Sequence, residues 1–313
     1  MSAPALAVMY HYVRADDRQR WPGLFPLEPR EFEAQLDFLE HFGDIVGPET
    51  FGVGTPERPQ ILLTFDDGTR DHYTQVFPIL RQRGLVGLFG VMSGPTVDRH
   101  MPAVHLAHAV LSSIPDEEVW SRLGARFSQS RLGNTTESKA LYVYDEPLRA
   151  RIKFTLNFGL RTDESAAFLQ SCLEERGELD ALLDAWYLTD DQIREMHRAG
   201  MRFAVHAHHH LAYQSPASSF YDRELRPCAT WLADLTGSDP VDYIAAFGGS
   251  NAHDDNPREL EALLTQQGYR RAFLTEKGVE NAPLKGLFCK RVDSAELPPR
   301  QSAACLDGLL VEA

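Results

Sequence analysis

Apolar residues fall in two rhythms along the 313-residue chain. Short apolar-rich runs, at Leu6–Val13, Ile61–Phe65, Val86–Met92, Met201–Val205, Tyr243–Phe247 and Arg270–Thr275, have the length and side-chain shape of buried strands. Between them, apolar residues recur every three or four positions. Pro29–Phe42 places Phe32, Leu36 and Leu39 on one helical face and ends at Gly43, and Tyr73–Arg83 ends at Gly84. Thr189 and Gln192 are spaced as a capping box for a helix that Gly200 terminates. Asn256 precedes Pro257 and Glu259 in the order expected of a helix start, and Gly268 closes that helix. Strand, helix and strand in alternation predict parallel pairing in an α/β fold.

From Gly94 to about Trp186 the rhythm changes. Val104–Ser112, Asp116–Phe127, Glu146–Phe158 and Asp163–Asp184 all carry helical spacing, and strand-like runs are nearly absent. The expectation is one domain over 1–313 with a helical insertion at about 95–186, serving as a lid, a partner surface or simple packing. No internal repeat or low-complexity segment interrupts the pattern, and Pro298-Pro299 marks Glu296–Gln301 as loop.

The formal net charge is -14. That balance argues against a nucleic-acid backbone or an anionic membrane as partner, since both need clustered Lys and Arg. It leaves an anionic small substrate open, because a bound metal can invert the local field. Cys172, Cys228, Cys289 and Cys305 are scattered with no CxxC pair, so they read as buried thiols of a reducing compartment. Met1–Val13 lacks the basic start and long apolar core of a signal peptide, and no apolar run reaches spanning length. A cytoplasmic protein without a membrane span is expected.

Two segments carry candidate chemistry. Ile61–Phe65 runs into Asp66-Asp67-Gly68, and Met201–Val205 runs into His206-Ala207-His208-His209-His210. Carboxylates and imidazoles at the ends of two strands are the ingredients of a three-ligand metal site with an open position. Adjacent strand-end side chains diverge, so one aspartate can ligate while the other serves as a base. Taken alone, Asp66-Asp67 also fits a turn with solvated acids. On a helix His206 and His210 would share a face; on a strand end His206, His208 and His210 would; a loop could bring any two to one ion.

Together these segments resemble the polysaccharide deacetylase family of carbohydrate esterases. Its T-F-D-D-G motif is matched in full at Thr64–Gly68, and its H-[S/T]-x-x-H motif at His206 and His210, with Ala207 where a hydroxyl residue is usual. The approach Tyr187–Met201 is similar as well. The resemblance covers the chain apart from the helical insertion. It implies an irregular (β/α)7-type barrel with the site at the C-terminal strand ends. It also implies Asp66 as general base, Asp67, His206 and His210 as metal ligands, and a divalent metal: zinc, or cobalt, nickel or iron. The family's aromatic-Pro-Tyr-Gly motif falls at Ala245–Gly249, where Phe247 replaces the proline and Gly248 the tyrosine. The Gly248 N–H can still serve as an oxyanion donor, since that role needs no side chain. The arginine of that motif is missing, and Arg291 is the candidate to supply its charge.

The family's C-terminal L-x-H is also missing. Val8-Met9-Tyr10-His11 offers a strand with a similar ending at the other end of the chain, as in relatives whose motif order is circularly permuted, so His11 is nominated as general acid. His253 is the second candidate. Trp21 and Phe25 are candidates for an apolar wall against a sugar ring, while His72, Asp254 and Asp255 are read as solvated. His105 and His108 are read as packing or as a substrate-contacting lid.

The function implied is metal-dependent hydrolysis of an N-acyl group, above all N-acetyl, from an amino sugar, an oligosaccharide or a sugar conjugate. The alternatives are a deformylase or other amidase on the same scaffold, or a non-catalytic sugar-binding or scaffold protein.

Overall fold

The computed structural model describes residues 3–15, 26–142, 145–247 and 257–302. Its strands are β1 (Pro4–Tyr10), β2 (Asp44–Ile45), β3 (Gln60–Phe65), β4 (Gly87–Met92), β5 (Arg202–Ala207), β6 (Asp242–Ile244), β7 (Arg271–Lys277), β8 (Glu280–Asn281) and β9 (Phe288–Asp293). They form one sheet in the order β2-β3-β4-β5-β6-β7-β9-β1-β8, and β1 also pairs with β3. That extra pairing closes a barrel of seven parallel strands: β1, β3, β4, β5, β6, β7 and β9. β2 lies parallel beside β3, and β8 lies antiparallel beside β1.

Alternation along the strands sorts the side chains into two layers. Leu6, Val8 and Tyr10 of β1 and Ile61, Leu63 and Phe65 of β3 face outward. There they pack with Phe32, Leu36 and Leu39 of helix Pro29–Phe42 and Ile193 and Met196 of helix Asp190–Arg198. The residues between them face the lumen, where Ala5, Ala7, Leu62, Leu88, Ala204, Ile244, Phe273 and Cys289 form a separate buried cluster. Alanines on β1 and β5 and Gly90 on β4 offset the bulk of Phe273 and Ile244. A Cβ on Gly90 would stand 3.1 Å from Ile244 Cδ1 and 3.5 Å from His206 Cβ.

Both ends of the lumen are polar. Arg271 donates to Asp242 through Nε at 2.7 Å and Nη2 at 3.2 Å, and Nη1 donates to the Pro48 carbonyl, sealing the N-terminal ends of the strands. Arg291 occupies the other end, described with the site below.

Thr189 caps helix Asp190–Arg198 as its spacing predicts. Gln192 N–H donates to Thr189 Oγ1 at 3.3 Å, and Thr189 N–H donates to Gln192 Oε1 at 3.0 Å. Gly200, with φ of 98°, turns the chain from this helix into β5. Thr189→Ala is expected to cost about 1 kcal/mol of stability, read as a shift in the urea midpoint at constant slope.

Contacts divide the described residues into two compact units: one from 3–15, 26–100 and 185–302, which holds the barrel, and one within 101–184. The second is helical and carries no strand among its described residues. Arg149 pairs bidentately with Asp116, Arg131 with Glu164, and the Arg151 guanidinium lies 4.1 Å from the Trp120 ring centroid.

The boundaries differ from the sequence reading in several places. β1 ends at Tyr10 rather than Val13, because Val13 N–H leaves the ladder to donate to Asp71 Oδ2 at 2.6 Å. β6 stops at Ile244, and Phe247 is 45% exposed beyond it. Helix Tyr73–Arg83 opens with a wider π turn at His72–Val76. The long helix at Asp163–Asp184 is two, Thr162–Glu174 and Leu179–Trp186, separated at Gly177 with φ of 67°. Strand β9 and the helical run Ala217–Thr236 are additions that the apolar spacing does not announce. Asn256 and Cys305 lie outside the described residues; Cys172, Cys228 and Cys289 are buried and unbridged. Among the described residues no helix is long and apolar enough to cross a membrane.

Candidate active site

The lumen-facing parity of β3 runs through Leu62 and Thr64 to Asp66, just past the strand. On β9 the same parity runs from Cys289 to Arg291, and on β5 from Ala204 to His206. The side chains that follow the apolar lumen residues therefore meet over its C-terminal end.

Asp66 and Asp67 diverge as adjacent residues must. Arg291 Nη1 and Nη2 donate to Asp66 Oδ1 and Oδ2 at 2.7 and 2.8 Å, Arg291 Nη1 also reaches Thr64 Oγ1 at 3.1 Å, and Nε donates to the Leu274 carbonyl at 2.7 Å. Both partners are buried. Burial works to raise the Asp66 carboxyl, but Arg291, aided by His11 and His206, outweighs it and holds the group below its usual value. Asp66 is thus an ionised carboxylate clamped in one orientation.

Asp67 turns away into a cluster with His206 and His210. Its Oδ1 lies 3.2 Å from Nε2 of each imidazole, and all three side chains are buried. Two of the three stand in left-handed backbone, Asp67 at φ 75° and His210 at φ 61°, followed in the first case by Gly68 at φ 60°. A non-glycine residue in this region costs of order 1–3 kcal/mol, and such strain gathers at functional sites. Gly68 has a second reason to lack a side chain, since a Cβ would stand 3.1 Å from Val91 Cγ1. The turn is pinned by Leu188 N–H donating to the Gly68 carbonyl at 2.9 Å and Arg70 Nε donating to the Tyr187 carbonyl at 2.9 Å.

The cluster fits a divalent cation. His206 Nδ1 lies 2.9 Å from the Ile244 carbonyl, which can only accept, so Nδ1 carries the proton and Nε2 presents its lone pair toward Asp67. Without a cation between them, that lone pair faces a carboxylate oxygen. Burial lowers the His206 imidazole, and its contact with Asp67, with the nearby Asp66 charge, raises it above its usual value, which marks the spot as one that favours positive charge. Ligands about 2.0–2.1 Å from a tetrahedral zinc lie about 3.3 Å apart, close to the spacings here. The Nδ1 hydrogen bond is the outer contact that fixes a ligating imidazole.

His11 stands just beyond β1, half-exposed, with Nε2 3.9 Å from Asp66 Oδ2. His72, read from sequence as solvated, is fully buried, and its Nε2 donates to the His11 carbonyl at 2.8 Å. Its ring packs against Phe65 and Phe89, and burial lowers its pKa, so it is a neutral anchor for the His11 backbone. Sequence reading missed it because a buried histidine in a turn has no periodic signature.

Gly248, the nominated oxyanion donor, lies outside the described residues, as do His253, Asp254, Asp255, Trp21 and Phe25. The described aromatic groups at the site are others. Phe247 stands edge-on to His210 with ring centroids 4.6 Å apart. Tyr12 and Trp186 meet at 6.2 Å, and the Asp67 charge adds to burial in raising the phenols of Tyr12 and Tyr187. Tyr12 directly follows His11, which is the one signal that could have found it.

No protein-family profile and no curated protein matches the sequence. Solved structures do match. The Streptococcus pyogenes deacetylase PplD superposes with a TM-score of 0.59 at 16% identity, over 99% of each chain. IcaB from Ammonifex degensii gives 0.55 at 16% identity, covering 93% of this chain and 92% of that one. A de-N-acetylase from Aggregatibacter actinomycetemcomitans gives 0.51 at 15% identity, covering 97% and 98%. The chain has the polysaccharide deacetylase fold. Within that deacetylase fold, Asp66 and Arg291 form one buried group, and Asp67, His206 and His210 another beside it.

Proposed function

We propose that the protein is a metal-dependent hydrolase that removes an N-acyl group, above all N-acetyl, from an amino sugar or a sugar polymer. The observation that carries this reading is the division of labour at Asp66-Asp67. One carboxylate joins two imidazoles in a set fitted for a cation, while its neighbour is kept out of that set, ionised, by a bidentate arginine.

A divalent cation held by Asp67, His206 and His210 would supply Lewis acidity, polarising the acyl carbonyl and making a water easier to deprotonate. The chain's own residues do the rest. Asp66 takes the proton from the attacking water, and Arg291 fixes the direction from which it does so. His11, beside Asp66 and open to solvent, gives a proton to the departing nitrogen, since an amine leaves poorly as its anion. Amide and water thereby become free amine and carboxylic acid. Acetate is the acid released from an N-acetyl group, and the S. pyogenes deacetylase was solved in complex with acetate. Zinc suits two imidazoles and a carboxylate, with cobalt, nickel and iron as the other candidates.

Metal content and acetate release, measured together over a panel of N-acetylated sugars and oligosaccharides, test the reading. Wild type should release acetate, and His206→Ala should bind one equivalent of metal fewer and lose at least about a thousandfold in turnover. Full metal content in that variant, or turnover close to wild type, would remove His206 from the site.

His11→Gln should lower amide turnover by about 10²–10³ while costing far less on an activated acetate ester, whose leaving group needs no proton. Equal losses on both substrates would mean that His11 does not act as the acid.

A further inference from the structure

The run that delivers His206 and His210 leaves two histidines between them, and these do not point at Asp67. They meet Asp98, which closes the short helix Gly94–Val97 that follows β4. Asp98 Oδ2 lies 2.8 Å from His208 Nε2 and 3.0 Å from His209 Nε2. One donor atom from each of the three falls within 4.8 Å of the others, as in the cluster of Asp67, His206 and His210. The two clusters also share their chemistry: one carboxylate and two imidazoles.

The surroundings hold these donors in place. Ser93 Oγ is hydrogen-bonded to His208 Nδ1 at 2.7 Å, which leaves Nε2 as the nitrogen facing Asp98. Gly94 N–H donates to the His208 carbonyl at 2.9 Å, and a Cβ on Gly94 would stand 2.4 Å from that oxygen, so the two loops approach as closely as only glycine permits. On the far side, fully buried Glu224 accepts from His209 N–H at 2.9 Å and Leu211 N–H at 3.3 Å through Oε2. Its Oε1 lies 3.7 Å from Arg223 Nε and 3.8 Å from His209 Nδ1, hydrogen-bonded to neither, so Glu224 holds this loop through its backbone. Asp98 itself is half-exposed, which gives an ion a way in.

We propose that Asp98, His208 and His209 form a second divalent-cation site, of the zinc, copper or nickel class, distinct from the Asp67 cluster. The separations of 2.8 and 3.0 Å need to open only slightly to reach the roughly 3.3 Å expected between ligands of a tetrahedral ion. An ion there would tie the turn after β4 to the loop after β5, the same loop that positions His210.

The test is metal stoichiometry on the full chain, stripped with chelator and titrated with Zn²⁺ alone or Co²⁺ alone. Wild type should take up two equivalents. Asp98→Asn/His209→Gln should take up one, and so should His206→Ala, while the triple variant takes up none. Because Asp98→Asn keeps the shape of an exposed side chain, that single variant guards against misfolding and should weaken the second equivalent at least about tenfold. A wild type that binds one equivalent or none, or two equivalents retained in Asp98→Asn/His209→Gln, would overturn the proposal. Loss of an equivalent in that double variant but none in His206→Ala would uphold this second site while removing the one assigned to the reaction.

Discussion

Replacing Asp66 with asparagine is expected to lower amide hydrolysis by about 10²–10⁴, the contribution of a positioned general base, while the metal content stays that of wild type. The two readouts separate because Asp66 belongs to the arginine and not to the Asp67 cluster. The substitution also has a structural cost. Arg291 is buried to the same degree as its partner, and an asparagine in place of Asp66 would return only a neutral carbonyl oxygen to it. Leaving a buried charge without its counter-ion destabilises by about 3–5 kcal/mol, so the variant should unfold at visibly lower temperature or urea concentration. Activity is therefore measured well below the new midpoint, on protein whose near-ultraviolet circular dichroism matches wild type. Turnover close to wild type under those conditions would remove Asp66 from the role of base.

Arg291→Met is expected to have the second large effect, again about 3–5 kcal/mol in stability, because it strands the Asp66 carboxylate in the mouth of the lumen. Turnover should fall too, through an orienting contact rather than through lost chemistry. Arg291 touches Asp66, Thr64 and the Leu274 carbonyl, none of them metal ligands in this arrangement. The double variant Asp66→Asn/Arg291→Met distinguishes an ion pair from two independent contributions. It should recover much of the stability lost by either single change, since no unpaired charge remains, and recover none of the activity. Additive losses in the double variant would show that the two groups are not coupled.

Much of the barrel was legible because its early strands are apolar on both faces. Leu6, Val8 and Tyr10 pack outward on helices while Ala5 and Ala7 fill the lumen, so β1 reads as one run, and β3 and β4 do so for the same reason. β9 breaks that rule. Its inward positions pass from Cys289 to Arg291, and half-buried Lys290 lies between, so the hydrophobic signal is erased where the strand does its work. Helix Ala217–Thr236 is obscured differently, by a π turn at Tyr221–Leu225 that shifts the register of its buried face. At the site, the residues of Asp66-Asp67 and His206–His210 pointed to a three-ligand metal site, and the resemblance to the polysaccharide deacetylases named Asp67, His206 and His210 within it. What the spacing could not supply was which imidazoles converge, since His208 has the right parity and goes elsewhere. Arg291 could be nominated by charge, but only the placement of β9 beside β1 brings it to Asp66.

That placement has a consequence for how the molecule comes into being. Asp66 and Arg291 are 225 residues apart, and β9 must enter between β7 and β1 for them to meet. As the chain emerges in order, β1 and β3 can pair long before β9 exists, and until then Asp66 sits at a strand end beside His11 without its arginine. Arrival of the last barrel strand therefore closes the cylinder and pairs the Asp66 carboxylate with its arginine in one event. Contacts of such long sequence separation form late and slowly. A nascent or truncated chain lacking β9 would thus carry the aspartate and both histidines in correct order while Asp66 still lacked its arginine.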